Sequence, residues 1–254
     1  MPDSERIEEF LGINFHCDTM EVAVQSLLTN PESQFRYVVT PNVSDLVTVL
    51  ENPADIGSIY ANAWRRYCDS RVIRGLARLF GRRLTLITGS DLTAHLLAEA
   101  NRLALRIMII GPQQEDAAKL GRRFPQARIV THTPPMGFIH SETAVMECVD
   151  AVIRERAPLV FLAVGMPRQE ILAHRIASSG KAVGVGLCIG AAIDFLTGKQ
   201  QRAPLWMQRS GLEWLYRFLS QPRRLAFRYL IQCPKIFYYL VRQPSLIGDQ
   251  PSNN

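Results

Sequence analysis

A carboxylate set among arginines is the first arrangement in this sequence that could do chemistry. In YCDSRVIRG (67–75), Asp69 ends a short apolar segment and precedes an amphipathic helix. An acid there can cap the helix by accepting its orphan amide hydrogens. Held near a basic cleft, it can instead act as a general base. Ser70 can cap the helix by itself and leave Asp69 free, so both roles stay open. In FLAVGMPRQE (161–170) an apolar strand ends at Gly165 and runs into Pro167, Arg168, Gln169 and Glu170. Gly165 lets a ligand approach the backbone, Gln169 can donate and accept hydrogen bonds, and Arg168 suits a phosphate. Pro167 at the first helical position gives the plainer reading, an ordinary helix start. GLEWLYRFLSQPRR (211–224) puts Trp214, Tyr216 and Phe218 beside Arg217, Arg223 and Arg224, with Phe227 and Arg228 close behind.

Basic charge is concentrated in that C-terminal stretch. The 254-residue chain has a formal net charge of +6 and a pI near 9.3. Such a balance points to an anionic partner: a nucleotide, a nucleic acid or an acidic membrane. Between Lys199 and Arg242 lie nine Lys/Arg and one acid, Glu213, while the rest of the chain is close to neutral. A basic amphipathic helix with boundary aromatics suits an anionic membrane surface, each basic residue adding roughly 1 kcal/mol. The alternative is a helix that packs on the core and solvates its basic face. Nucleic-acid binding fits the pI but finds no recognition motif. The sequence has no D-x-D motif to hold a divalent ion on a sugar-nucleotide diphosphate. If such a donor is used, the available cations are Arg202, Arg209, Arg217, Arg223, Arg224 and Arg228, since arginine clamps stabilise developing phosphate charge.

Other chemistries lack their motifs. GVGLCIG (184–190) is G-x-G-x-x-x-G, not the dinucleotide fingerprint, and reads as a tight strand-to-helix turn. No G-x-x-x-x-G-K-[ST] loop, H-E-x-x-H pair or G-x-S-x-G elbow occurs, and the five histidines show no ligand spacing. The five cysteines are scattered, odd in number and without C-x-x-C spacing, which argues against a disulfide framework and a zinc site. The acidic start MPDSERIEEF is no signal peptide. No apolar run reaches the roughly 18–20 residues of a membrane span. A reducing cytoplasmic location is the expectation, with membrane contact from one side only.

The elements that must position these residues read as alternating strands and helices. FRYVVTPN (35–42), RLTLITGSD (83–91), LRIMIIGP (105–112), ARIVTHTPP (127–135), PLVFLAVGMP (158–167) and KAVGVGLCIG (181–190) are apolar, strand-like runs. The second is expected to enter a helix capped by Ser90 or Asp91. Continuous Val/Ile/Leu strands alternating with helices predict an α/β fold: a Rossmann-like, doubly wound parallel sheet covered on both faces. Residues 1–197 form that core, and 198–254 a helical, basic, membrane-docking appendage broken by Pro222 and Pro234. Ligands of such sheets bind beyond the C-terminal strand ends, where Thr40, Asn42, Asp69, Ser90, Asp91, Gly111 and 165–170 fall, although turns and caps also sit there.

Together, VVTPN (38–42), Asp69 in CDS, TGSDL (88–92), GMPRQE (165–170) and DFLTGKQQRAPLWMQRSGLEWLYRFLSQPRRLAFRYL (194–230) resemble the WecG/TagA/CpsF family of bacterial glycosyltransferases. The resemblance covers almost the whole chain, and the last stretch is the specific one. It implies inverting transfer of a hexose, typically N-acetylmannosamine, from a UDP-sugar donor to an undecaprenyl-diphosphate-linked sugar. No metal or other cofactor is implied. The enzyme would be peripheral on the cytoplasmic membrane surface and serve wall teichoic acid, enterobacterial common antigen or exopolysaccharide synthesis. Self-association is implied; nucleic acid is not. By resemblance, Asp69 is the base that deprotonates the acceptor hydroxyl. Thr40, Asn42 and Gln169 line the substrate pocket, and Arg217, Arg224 and Arg228, with Arg202, meet the diphosphate under the appendage. One residue departs from the pattern: Leu86 stands where the family usually has arginine. Arg82 and Arg83 are the nearest cations that could compensate, and the donor hexose stays open. The alternative is a non-catalytic nucleotide-binding protein docked on the membrane by its basic tail, which predicts UDP binding without turnover.

Overall fold

The computed structural model describes residues 6–29 and 34–242. Strands β1 (Ile7–Phe10) and β2 (Ile13–His16) pair as an antiparallel hairpin. Strands β3 (Arg36–Val39), β4 (Arg65–Arg66), β5 (Arg106–Ile110), β6 (Arg128–His132), β7 (Leu159–Leu162) and β8 (Val185–Cys188) form a six-stranded sheet in the order β4-β3-β8-β7-β5-β6. Every neighbouring pair in it is parallel. Helices α1 (Met20–Leu28), α2 (Val43–Glu51), α3 (Ser58–Asn62), α4 (Arg71–Leu79), α5 (Gly89–Arg102), α6 (Gln114–Arg123), α7 (Glu142–Glu155) and α8 (Arg168–Ser178) connect the strands, and α9 (Ala192–Leu196) follows β8.

The core has two faces, as continuous apolar strands require. Val39, Met108, Ile110, Val160, Leu162 and Cys188 pack into one buried cluster, while Val38, Ile107, Ile109, Phe161, Val185 and Leu187 pack into a second. Alternation along each strand sends successive side chains to opposite faces, so both must be covered. The expected doubly wound α/β sheet is what the chain forms. Within β8, Gly186 lies under the Phe35 ring, where a Cβ would sit 2.4 Å from Cζ. Gly184 (φ +95°) enters the strand against the carbonyls of Ala157 and Pro158, and Gly190 (φ +53°) leads out toward α9. The glycines of 184–190 therefore serve packing and turning.

Three sequence expectations need correction here. Residues 83–91 do not form a strand: Leu86 makes a single parallel bridge to Cys68. The neighbouring edge strand β4 is two residues long, so it offers little backbone to pair with. The cap of α5 is Thr88, whose Oγ1 accepts from Asp91 N at 3.1 Å, in place of Ser90 or Asp91. Pro167 likewise stands at the N-cap of α8, one residue before the first helical position.

Beyond α9 the chain forms α10 (Leu205–Ser210), α11 (Glu213–Ser220), α12 (Pro222–Ala226), a π-helical turn over Phe227–Gln232, and α13 (Lys235–Arg242). Pro222 starts α12 after α11 has ended, and Pro234 separates the π turn from α13. Ile236 and Leu240 of α13 join the first core cluster beside α2. Most other large apolar side chains of this segment face outward, among them Trp206, Leu219, Phe227, Leu230 and Ile231. Among the described residues no helix is long and apolar enough to cross a membrane.

Candidate active site

The C-terminal ends of β3 and β4 point at one cavity. The backbone after each strand is stitched to its neighbour: Tyr67 N donates to Val39 O, Asp69 N to Pro41 O and Ile87 N to Cys68 O, at 3.0–3.1 Å. These bonds fix where Asp69 emerges. Ser70 caps α4 through Ile73 N at 3.2 Å, so the Asp69 carboxylate is not consumed by capping. It faces the start of α5 instead, where the Gly89 N–H donates to it. Gly89 has to be glycine, because a Cβ would lie 2.6 Å from Thr40 Oγ1 and 3.6 Å from Asp69 Oδ2. Asn42 caps α2: its Oδ1 accepts from Ser44 N (3.0 Å) and Asp45 N (3.4 Å), and its backbone N–H donates to Asp45 Oδ2 (3.2 Å). That reciprocal arrangement satisfies the orphan amides of the helix start.

The C-terminal segment roofs this floor. The cavity between them is about 490 Å³, with Asn42, Asp69, Ser70, Leu86, Thr88 and Asp91 below and Arg202, Glu213, Trp214, Arg217, Arg228 and Tyr229 above. Trp214 and Tyr229 pack with ring centroids 5.8 Å apart and hold the roof together. Arg202 Nη1 donates to Asp91 Oδ1 at 2.6 Å. Arg217 lies over the Phe195 ring at 4.7 Å and near Glu213 at 3.8 Å. Arg228 Nη2 donates to Asn42 Oδ1 at 2.8 Å and approaches Asp45 Oδ1 at 3.5 Å. In all three guanidinium groups Nε is buried with no hydrogen-bond partner. The three guanidinium groups set positive charge round one cavity, which suits an acceptor-rich anion.

The electrostatics of the floor are set by burial. Burial pushes the Asp69 carboxyl up to about 8, against the opposing charge of Arg217 and the Gly89 N–H. Asp45 is also raised by burial, against Arg228. Burial opposes ionisation of Asp91 too, but hydrogen bonds from Arg202 and Thr88 outweigh it and hold that carboxyl below its ordinary value. The site thus sets Asp91, held as a carboxylate, near Asp69, a carboxyl raised to about 8. A group so tuned can take a proton from a hydroxyl.

Of the sequence candidates, Asn42, Asp69, Arg202, Arg217 and Arg228 line the cavity together. Thr40 sits behind Gly89, its Oγ1 donating to Cys188 O at 3.4 Å. Gln169 is buried, accepting from Gly190 N (3.0 Å) and donating to Glu170 Oε1 (2.9 Å). Arg224 is exposed, outside the cavity lining, and pairs with Gln221 Oε1 at 3.0 Å. Leu86 lines the cavity; Arg82 and Arg83 do not. Sequence reasoning passed over Asp45, Thr88, Trp214 as a wall and Tyr229. A signal existed for one: Asn42-x-x-Asp45 is the spacing of a capping box. Among the described residues no group of three or more His, Cys, Asp or Glu is placed to hold a metal ion.

The model of the glycosyl transferase WecG/TagA/CpsF family matches residues 8–248. The chain is also similar to the N-acetylglucosaminyldiphosphoundecaprenol N-acetyl-beta-D-mannosaminyltransferase of Bacillus subtilis (strain 168). The two are 31% identical over 166 residues, 63% of this chain and 61% of that relative. The chain thus spans about three fifths of the length of the curated relative it matches.

Proposed function

The chain belongs to the glycosyl transferase WecG/TagA/CpsF family, and on that premise we propose that it transfers a hexose from a UDP-sugar to an undecaprenyl-diphosphate-linked sugar. The similar Bacillus subtilis protein is named for an N-acetylmannosaminyl donor group and a lipid-diphosphate N-acetylglucosamine acceptor. The donor hexose is of that type or a related one, with Leu86 in the cavity wall as the residue that shapes the choice. Asp69 is the base. It takes the proton of the acceptor hydroxyl as that oxygen attacks the anomeric carbon. The C–O bond to UDP breaks on the opposite face, so the anomeric centre inverts. Arg202, Arg217 and Arg228 take up the charge growing on the leaving diphosphate, in place of a metal ion. The observation that carries this reading is that Arg202, Arg217 and Arg228 line one cavity together with Asp69.

The segment from about residue 198 acts as a second unit, roofing the site and meeting the cytoplasmic face of the membrane with its outward apolar side chains. The test is direct. Purified protein is incubated with a panel of UDP-sugars, a short prenyl-diphosphate-linked sugar and EDTA, and UDP release is measured. Acceptor-dependent release in EDTA is the expected result. UDP binding without release from any donor would overturn the reading and leave a non-catalytic nucleotide-binding protein.

A further inference from the structure

The π turn over Phe227–Gln232 faces the wrong way for an ordinary surface element. Phe227, Leu230 and Ile231 are 64%, 61% and 52% exposed, whereas Arg228 and Gln232 point inward. Phe227, Leu230 and Ile231 therefore do not fix it on the core by hydrophobic burial, which normally sets an element's position; Tyr229 turns inward, but against Trp214 and Phe218 of the same segment. What faces the core is a polar ladder along α2. Ser44 Oγ donates to Gln232 Oε1 at 2.7 Å, and Gln232 Nε2 donates to Thr48 Oγ1 at 2.8 Å. One turn to either side, Arg228 meets Asn42 and Asp45, and Lys235 meets Glu51. Ser44, Thr48 and Glu51 share one face of α2 by their spacing.

We propose that Gln232 is a positioning residue that sets the register of the π turn on α2 and so aims Arg228 into the cavity. Its amide meets both hydroxyls at once, and Cys233 N closes the wide turn on Arg228 O at 2.8 Å. Slippage by one residue would break both Gln232 bonds and carry Arg228 off Asn42. The consequence for turnover rests on the transferase reading above; the register does not.

The test uses the full-length chain. Gln232→Met keeps the side-chain length and removes both bonds. It should speed amide hydrogen exchange over 227–233 at least tenfold and leave the strands of the sheet unchanged. It should also lower kcat/KM for the lipid-linked acceptor about tenfold in the otherwise natural chain, yet cost nothing further when added to Arg228→Ala. Gln232→Glu keeps the bond from Ser44 and should recover part of the loss. Additive losses in the double variant, or unchanged exchange over 227–233, overturn the proposal. If the natural chain releases no UDP, the transferase reading fails, and the exchange measurement alone decides the register.

Discussion

Asp69 and Glu170 are both buried carboxyls pushed up to about 8, and only one has access to a substrate. For Asp69 the consequence is catalytic. A base must be ionised to accept a proton, so kcat/KM should rise with pH and level off above about 8. Asp69→Asn should lower transfer by about 10²–10⁴-fold while UDP binding holds. A variant that keeps its activity would remove the base assignment. Glu170 is shut inside, raised by burial first and by Asp45 second, with Oε2 unpartnered. Its consequence is for stability. The folded chain holds this proton where the unfolded chain, with an ordinary value of 4.5, has lost it. Stability from this group is therefore full below about pH 4.5 and is lost as pH rises through about 8. The slope is at most about 1.4 kcal/mol per pH unit. Glu170→Gln retains an acceptor for Gln169 Nε2 and should flatten the fall. Denaturant titrations between pH 5 and 9 check it: an unchanged slope in the variant would place the proton elsewhere.

At the scale of elements, β8 is packed directly against Phe35. Gly186→Ala would put a methyl group 2.4 Å from the ring, and overpacking of this kind costs about 1–3 kcal/mol. A melting temperature lowered by several degrees is expected; an unaltered one would mean that the ring moves freely. The central strands were legible because burial on both faces leaves an unbroken apolar run. The elements missed are those whose placement comes from elsewhere. The β1–β2 hairpin turns on Leu11 (φ +53°) and Gly12 (φ +73°). Leu11 is no turn residue by type; it is held there by being buried, which no local rule conveys. Strand β4 is Arg65–Arg66, and its side chains are accommodated by the Trp64 ring and by backbone carbonyls. Polar sequence hid it. At the site, Ser70 freeing Asp69 was readable because capping is local. The Gly190 amide that occupies Gln169 was not, since it lies across the fold.

At the scale of the whole molecule, charge and apolar surface fall on the same segment, and they make separable predictions. The basic excess was visible in the sequence, but the direction of the aromatic and aliphatic side chains was not: periodicity marks a face without saying which face meets the core. Outward Trp206, Leu219, Phe227, Leu230 and Ile231 form an apolar surface that water disfavours. Arginines 223, 224 and 242 lie exposed on the same segment. Electrostatic attraction to anionic lipid is screened by salt, with a Debye length near 3 Å at 1 M; apolar insertion is not. Binding to vesicles of anionic phospholipid should therefore weaken at high salt without vanishing. The triple change Phe227→Ser, Leu230→Ser, Ile231→Ser should leave the salt-sensitive part and remove the rest. The three side chains are 64%, 61% and 52% exposed, so the change costs the fold little. With a short, water-soluble prenyl acceptor the triple variant should keep its turnover, because none of these residues lines the cavity. On the full-length lipid acceptor in vesicles it should lose at least tenfold. Equal losses on both acceptors would mean that this surface shapes the site itself, and undiminished vesicle binding at high salt would assign membrane contact to another face.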